Sequence, residues 1–442
     1  MWLLPAFSAL ANTAARVYYR LTVAGEPVPE SGPVLLVANH QNSLLDPTLV
    51  CAAARRPVRF LAKAPLFDDP KVGWLVRATG SIPVYRQQDD PALMRRNLDT
   101  FRAAYHVLAS GAAVGIFPEG RSHSEPSLAE LRTGAARIVV GTWSAHQLLV
   151  PVVPVGLTFR RKDVFRSEAL VVVGAPLSLG DLAFGTVPEV ALVRQITERI
   201  GAGLRQITLN LESWEDRPLV EAAVDIWDAE WHADPGPVGR VQRLDVTTRL
   251  LGDLRHHPDP RWTGLVRDVK DHARRLSRLR LDPASLGART DAATGVRWTV
   301  RRFHLLLPVA LGWAVAGLVC FLVPYHVLGF IVSRLRLYQD ERSTWELLLG
   351  TVVYAVWIIG LAIASSLRWG WVAGLVVAAG LPLIGMGGIA IRERWRGAWS
   401  DARRFFLLRS RGDLIAGLQV QQRDLAERFR TLYQERLAKA TP

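Results

Sequence analysis

Four short blocks of this chain join residue types that can do chemistry. The first, Asn39-His40-Gln41-Asn42-Ser43-Leu44-Leu45-Asp46-Pro47, directly follows the apolar run Val34–Ala38. If the turn curls back, Asp46 holds the hydrogen on one ring nitrogen of His40, leaving the other free to take a proton from an alcohol. A His capping a strand end and an Asp opening a turn before Pro47 fit the same spacing, so spacing alone leaves both readings open. In the second block, Gly80–Arg86 (GSIPVYR), Arg86 ends a Gly-initiated strand. It is either a bidentate phosphate donor at a sheet rim or an ordinary surface residue. The third, Phe117–His123 (FPEGRSH), places a Pro-x-Gly turn after Ala113–Phe117. Amides after Gly120 can form an anion-binding concavity, with donors from Arg121, Ser122, His123 and the later Arg132. A plain turn capped by Glu119 is the alternative. The fourth, Val150–Gly156 (VPVVPVG), contains Pro151 and Pro154, which cannot donate to a ladder. It is expected at an edge or bulge, as an apolar wall suited to an alkyl chain.

The elements needed to position these blocks are readable from periodicity. Val34–Ala38, Val58–Leu61, Ala113–Phe117, Val150–Val155 and Leu170–Val173 read as buried strands, with helical patterns at Asp90–Ser110 and Glu130–Ala145 between them. That alternation predicts an α/β domain over 30–187, a largely parallel sheet flanked by helices. Each chemical block then lies at a strand's end, where open α/β sheets bind ligands. Residues 188–302 read as a helical cytoplasmic extension. In residues 1–29, Leu3, Phe7, Leu10, Ala14, Val17 and Leu21 form one apolar stripe. It suits a helix lying on a bilayer, or one packed on the following domain. No charged region precedes a cleavable apolar core, so a signal peptide is not expected.

Three late stretches, within 303–332, 347–366 and 371–391, have spanning length, and their apolar cores contain no Asp, Glu, Lys or Arg. Arg301, Arg302, Arg334, Arg336, Arg342, Arg392, Arg394 and Arg396 flank them, and only Arg368 lies in the short turn after the second. A first segment that breaks near Pro324 and re-enters would keep every Arg-rich flank cytoplasmic. Residues 392–442 read as a final amphipathic helix, with Phe405, Leu408, Leu414, Leu418, Leu425 and Leu432 on its apolar face. The whole chain, 442 residues of which 50% are hydrophobic and 21% charged, is too apolar for disorder. Its mean hydropathy of +0.15 fits lipid-embedded segments. A net charge of +14 predicts anionic partners. Together with the apolar segments it favours a membrane surface over nucleic acid. Cys51 and Cys320 lie far apart, with neither disulfide framework nor zinc cluster, which fits a reducing compartment.

In this company, the four blocks resemble those of the glycerolipid acyltransferases, the glycerol-3-phosphate and lysophosphatidate enzymes, in order and spacing over about residues 30–180. NHQNSLLDP, FPEGRSHSEPSLAELRTGAAR and GLRQITLNLESWED (Gly203–Asp216) are most similar to the branch containing the fungal dual glycerol-3-phosphate/dihydroxyacetone-phosphate acyltransferases. That branch also has C-terminal membrane segments. Two features depart from the family pattern. His40 and Asp46 are separated by five residues rather than the commoner four, and Arg121 follows Gly120 directly where Glu-Gly-Thr-Arg is usual.

The resemblance implies His40 and Asp46 as catalytic residues, and a substrate phosphate held by Arg86, Glu119, Gly120, Arg121, Ser122 and Arg132. It also implies an acyl-chain strand at Pro151 and Pro154, no metal, and no cofactor beyond acyl-CoA or acyl carrier protein as co-substrate. The expected partners are the acyl thioester donor, a phosphorylated glycerol acceptor and membrane lipids, with no nucleic acid. The expected protein is a multi-pass one with its catalytic domain on the cytoplasmic face, in a bacterial inner membrane. Lysophosphatidate is the alternative acceptor. A non-catalytic scaffold binding lipid headgroups is the alternative of another class, in which His40 and Asp46 need not face each other. A hydrolase would want a Ser nucleophile, and no G-x-S-x-G elbow occurs.

Overall fold

The computed structural model describes residues 4–70, 73–85, 95–231, 236–288, 307–335 and 337–440. It divides into two compact units, the first comprising Met1–Asp216, Gly236–Thr248 and Leu337–Thr344.

The first unit is built on a seven-stranded sheet. Its strands are β1 (Arg20–Gly25), β2 (Val34–Ala38), β3 (Val58–Lys63), β4 (Ile82–Val84), β5 (Ala113–Ile116), β6 (Val152–Phe159) and β7 (Glu168–Val173), in the spatial order β1-β7-β6-β2-β5-β3-β4. All neighbours pair parallel except β6 and β7. Strands covered on both faces must be apolar throughout, and all five residues of β2 are buried. Helices α1 (Leu4–Tyr18), α2 (Leu45–Ala54), α3 (Pro65–Asp68), α4 (Gly73–Ala78), α5 (Asn97–Ala109), α6 (Gly134–His146) and α7 (Glu189–Ile207) flank the sheet. Ala104 and Leu108 of α5, Ile138 and Val139 of α6, and Ile196, Ile200 and Leu204 of α7 share one core with Leu35 and Val37 of β2.

Several expectations change here. Residues 20–25 are not part of an N-terminal helix: they form β1 beside β7. In α1, Ala11, Ala15 and Tyr18 are buried while Leu10 and Val17 stay exposed. The sheet layer does not end at 187, because α7 supplies its apolar face to the main core. The proline-containing strand is not an edge: β6 lies between β7 and β2. Pro154 fits there because it sits one residue beyond the β6–β7 ladder, which runs from Val155↔Val173 to Phe159↔Ala169. The Pro154 carbonyl still accepts the Gly174 N–H at 2.9 Å, and the Pro151 carbonyl accepts the Leu35 N–H at 2.9 Å. Pro154 is buried, close to Gly203 of α7, and Pro151 is exposed.

The second unit holds α8 (Arg217–Trp231), the end of α9 (Pro237–His256), α10 (Pro260–Leu279), α11 (Leu307–Arg334), most of α12 (Gln339–Trp369), α13 (Trp371–Ser410) and α14 (Gly412–Ala440). Among the described residues, three helices are long and apolar enough to cross a membrane: Ala310–Arg334 within α11, α12, and α13. Leu318, Val319, Val356, Ile359 and Val376 point outward, as lipid-facing side chains do. This is a membrane protein.

The expected break at Pro324 is absent, and α11 is one continuous helix. A proline inside a helix lacks the N–H that would bond four residues back and leaves that carbonyl unpaired. Here the carbonyl is that of Cys320, and the Trp357 indole N–H of α12 donates to it at 2.9 Å. Trp357→Phe should therefore lower thermal stability in detergent by about 1 kcal/mol. Apart from the lost near-ultraviolet signal of the indole, spectra should be unchanged. Nor do residues 392–442 form a single amphipathic helix. The third apolar helix continues to Ser410, and a separate helix starts at Gly412. Leu408, Leu418, Leu425 and Leu432 are buried as the periodicity predicts, while Leu414 is exposed.

Candidate active site

The site begins where β2 ends. Asn39 is buried and extends the ladder with its side chain, Nδ2 donating to the Leu157 carbonyl at 2.9 Å and Oδ1 accepting the Leu157 N–H at 2.7 Å. The chain then leaves the sheet at His40. The turn curls back, and His40 Nδ1 lies 2.8 Å from Asp46 Oδ2. The same oxygen accepts the N–H groups of Gln41 at 2.8 Å and Asn42 at 2.7 Å. Asp46 is fully buried, and its Oδ1 has no hydrogen-bond partner among the described residues. An acceptor-only carboxylate at Nδ1 fixes the hydrogen there and leaves Nε2 with a lone pair. No described residue bonds Nε2, and the His40 side chain is 18% exposed.

Two aromatic rings set the orientation of the imidazole. Phe117, just past β5, stacks on His40 with centroids 4.1 Å apart and planes 16° from parallel. Phe60 of β3 continues the stack at 5.7 Å from Phe117. Phe60 can lie flat because β5 has glycine at 115, where an added Cβ would come within 2.4 Å of the ring. Phe117→Leu should lower the rate of any His40-dependent reaction about tenfold with little change in substrate KM, the cost of losing both contact and orientation.

The second His–carboxylate pair is a structural counterpart. His123 Nε2 donates to Glu119 Oε2 at 2.8 Å, and its Nδ1 accepts the Glu125 N–H at 3.1 Å, so both ring nitrogens are used. Both side chains are buried, and His123 therefore brings no donor to a ligand. Glu119 Oε2 also accepts the His40 N–H at 2.9 Å, which ties the third block to the first. Gly120 closes the turn with its N–H on the Phe117 carbonyl at 3.0 Å. Its φ of +73° favours glycine.

The candidate phosphate residues are dispersed. Arg121 is exposed and ion-paired with Glu125. Arg132 is exposed, with its aliphatic stem against Gly120. Ser122 accepts the Ser43 N–H at 3.1 Å. Arg86 lies outside the described residues. Beside the turn, an open hollow of about 610 Å³ is lined by Arg121, Ser122 and Ser124 together with Glu125, Asp340 and Glu341.

Sequence reasoning passed over Phe117 as a ring support, and also missed Lys162 and Tyr19. Lys162 Nζ donates to the Gln41 carbonyl at 2.8 Å and to Ser124 Oγ at 2.6 Å. Burial lowers its pKa, against the pull of Asp340 and Asp46. Burial also pushes the Tyr19 phenol above its ordinary range. Nothing local in the sequence marks either residue, since each meets the site only through the sheet. Cys51 on α2 is the one thiol in this unit, and burial pushes it up to about 12, which disqualifies it as a nucleophile.

Comparison with known proteins agrees with this geometry. The family model described as Acyltransferase matches residues 20–158. Glycerol-3-phosphate O-acyltransferase 2 of Saccharomyces cerevisiae is 26% identical over 281 residues, covering 61% of this chain and 37% of that protein. The chloroplastic 1-acyl-sn-glycerol-3-phosphate acyltransferase LPAT1 of Arabidopsis thaliana is 30% identical over 148 residues, 33% of this chain and 39% of that one. Lyso-ornithine lipid O-acyltransferase of Pseudomonas aeruginosa is 33% identical over 160 residues, 36% of this chain and 55% of that one. The chain thus spans little more than a third of the length of the yeast relative. With His40, Asp46, Glu119 and the turn at Gly120 all inside the matched segment, residues 20–158 of this chain are an acyltransferase domain.

Proposed function

We propose that this protein transfers a fatty acyl group from a thioester, acyl-CoA or acyl carrier protein, to a hydroxyl of glycerol-3-phosphate at a membrane. The observation that carries the reading is the His40 ring, its Nδ1 on Asp46 and its Nε2 without a partner among the described residues. Nε2 takes the proton from the acceptor hydroxyl as its oxygen attacks the thioester carbonyl. The C–O bond forms, the C–S bond breaks, and the imidazolium returns its proton to the departing thiolate. Asp46 stabilises the transient imidazolium, and no acyl-enzyme is needed. The 2.8 Å His40–Asp46 contact disfavours a non-catalytic scaffold, which has no use for it.

Arg121, Arg132 and Ser122, with Arg86, hold the acceptor's phosphate in this reading, and Glu119 and Gly120 shape the turn beneath it. Phosphate binding brings the hydroxyl within reach of Nε2. Arg121→Ala is expected to raise the acceptor KM about tenfold while leaving the thioester KM unchanged, in line with loss of a charge-assisted contact. Equal change in both constants would overturn this assignment. The Arg residues at 334, 342, 392, 394 and 396 support a cytoplasmic placement for the ends of the apolar helices that they flank.

The function is tested with detergent-purified protein, labelled acyl-CoA or acyl carrier protein, and glycerol-3-phosphate, lysophosphatidate, dihydroxyacetone phosphate and glycerol as acceptors. Transfer to glycerol-3-phosphate above the others supports the reading. Preference for lysophosphatidate moves it to the second acylation, and transfer to none removes it.

A further inference from the structure

Beneath the His40–Asp46 loop, a buried polar chain leads to residues some 300 positions further on. Asn42 is fully buried, and its Nδ2 donates to the Tyr19 hydroxyl at 2.6 Å. Its Oδ1 accepts from the Ser343 hydroxyl, and Tyr19 donates onward to the Lys162 carbonyl. Tyr19 and Ser343 are fully buried as well. One residue on from Asn42, Ser43 Oγ lies 3.5 Å from Asp340 Oδ2, and the Leu44 N–H donates to Thr344 Oγ1 at 3.2 Å. Leu337–Thr344 belong to the same compact unit as the loop, and the helix they open continues as one of the three apolar spans.

Between these contacts Ser43 adopts φ +42°, the left-handed region. A residue with a Cβ occupies it at an energetic cost, and such a conformation persists only where its surroundings over-determine it. The surroundings here are specific. The Ser43 N–H is held by Ser122, the next N–H by Thr344, and the preceding side chain by Ser343. Asn42 is thereby pinned at three points, its backbone N–H to Asp46, its amide NH₂ to Tyr19 and its amide oxygen to Ser343.

We propose that the second turn of the helix Gln339–Trp369, through Ser343 and Thr344, holds the 41–44 loop in the one conformation that turns the Gln41 and Asn42 amides onto Asp46. Ser343 and Thr344 are then positioning residues for His40, acting through Asp46. The proposal rests on the acyl-transfer reading above and extends it. Without the Thr344 hydroxyl the Leu44 N–H loses its partner, Ser43 can relax, and both the carboxylate and the ring lose their fixed placement. A shift of about 1 Å at a reacting group is enough to cost up to 10²-fold in rate.

The test uses the full chain in detergent or nanodiscs, with Thr344→Val, Ser343→Ala and the conservative Thr344→Ser. Two readouts are taken: steady-state constants for both substrates, and hydrogen–deuterium exchange of the loop amides from Gln41 to Leu44. Thr344→Val is expected to lower kcat about tenfold with both KM values within about twofold of wild type, and to speed loop exchange. Ser343→Ala should do the same, and Thr344→Ser should restore both readouts. Unchanged loop exchange overturns the clamp. Faster exchange with unchanged kcat overturns the positioning role. If the wild-type protein transfers no acyl group to any acceptor, the function reading falls and the positioning role with it. An active wild type with an unaffected Thr344→Val sinks the inference alone.

Discussion

His40→Ala is expected to lower kcat for acyl transfer about 10³–10⁴-fold, the upper part of the range for removing a positioned general base. Both KM values should change little, because in the proposed mechanism Nε2 meets only the reacting hydroxyl and supplies no binding energy from remote parts of either substrate. The fold should survive. Among the described residues the His40 ring hydrogen-bonds only through Nδ1, and the N–H and C=O that anchor this residue to Glu119 and His123 belong to its backbone. The large effect of His40→Ala on kcat is read with purified protein, with retained membrane insertion and melting temperature as controls. Near-native turnover would remove His40 from the chemistry.

Asp46→Asn should cost about 10²–10³-fold in kcat, and its geometry makes it unusually informative. All three hydrogen bonds to the Asp46 carboxyl fall on Oδ2, while Oδ1 has no partner among the described residues. Asparagine can place its oxygen at the Oδ2 position, keep all three donors and leave its NH₂ where Oδ1 was. The tautomer and the turn are then preserved, and only the negative charge that stabilises the imidazolium is lost. Asp46→Ala removes the charge and releases the Gln41 and Asn42 amides together, so it should also destabilise the loop. A ratio of kcat values near one for Asp46→Asn against wild type would mean that the carboxylate only orients the ring. The expected ratio assigns it an electrostatic role as well.

How much of this was legible in the sequence follows from what is local. His40, Asp46, Glu119 and Gly120 sit on strand-end turns whose partners lie within a few residues or on the next strand, and β2 and β5 announce themselves as apolar runs. β1 was hidden because Arg20–Gly25 is a short edge strand, part of it exposed, with no strict alternation. The central place of β6 was hidden because two prolines argue for an edge, and only the three-dimensional ladder shows Pro154 lying past its end. The helix through Pro324 was misread for a similar reason: the donor that replaces the lost N–H comes from Trp357 on another helix. Lys162, Tyr19 and Ser343 reach the loop across long stretches of chain, a kind of contact that no single-sequence pattern encodes. The ion pair of Arg121 with Glu125 four residues on is one that helix-like spacing could have suggested.

The claim on which the rest depends is that Asp46 holds a hydrogen on His40 Nδ1 so that Nε2 is bare and basic. A ¹⁵N spectrum of histidine-labelled protein in basic buffer reads this directly, with the His40 signals assigned by their loss in His40→Ala. The account predicts a hydrogen-bearing Nδ1 and a bare Nε2, both disturbed in Asp46→Ala. A His40 ring carrying its hydrogen on Nε2 would contradict it.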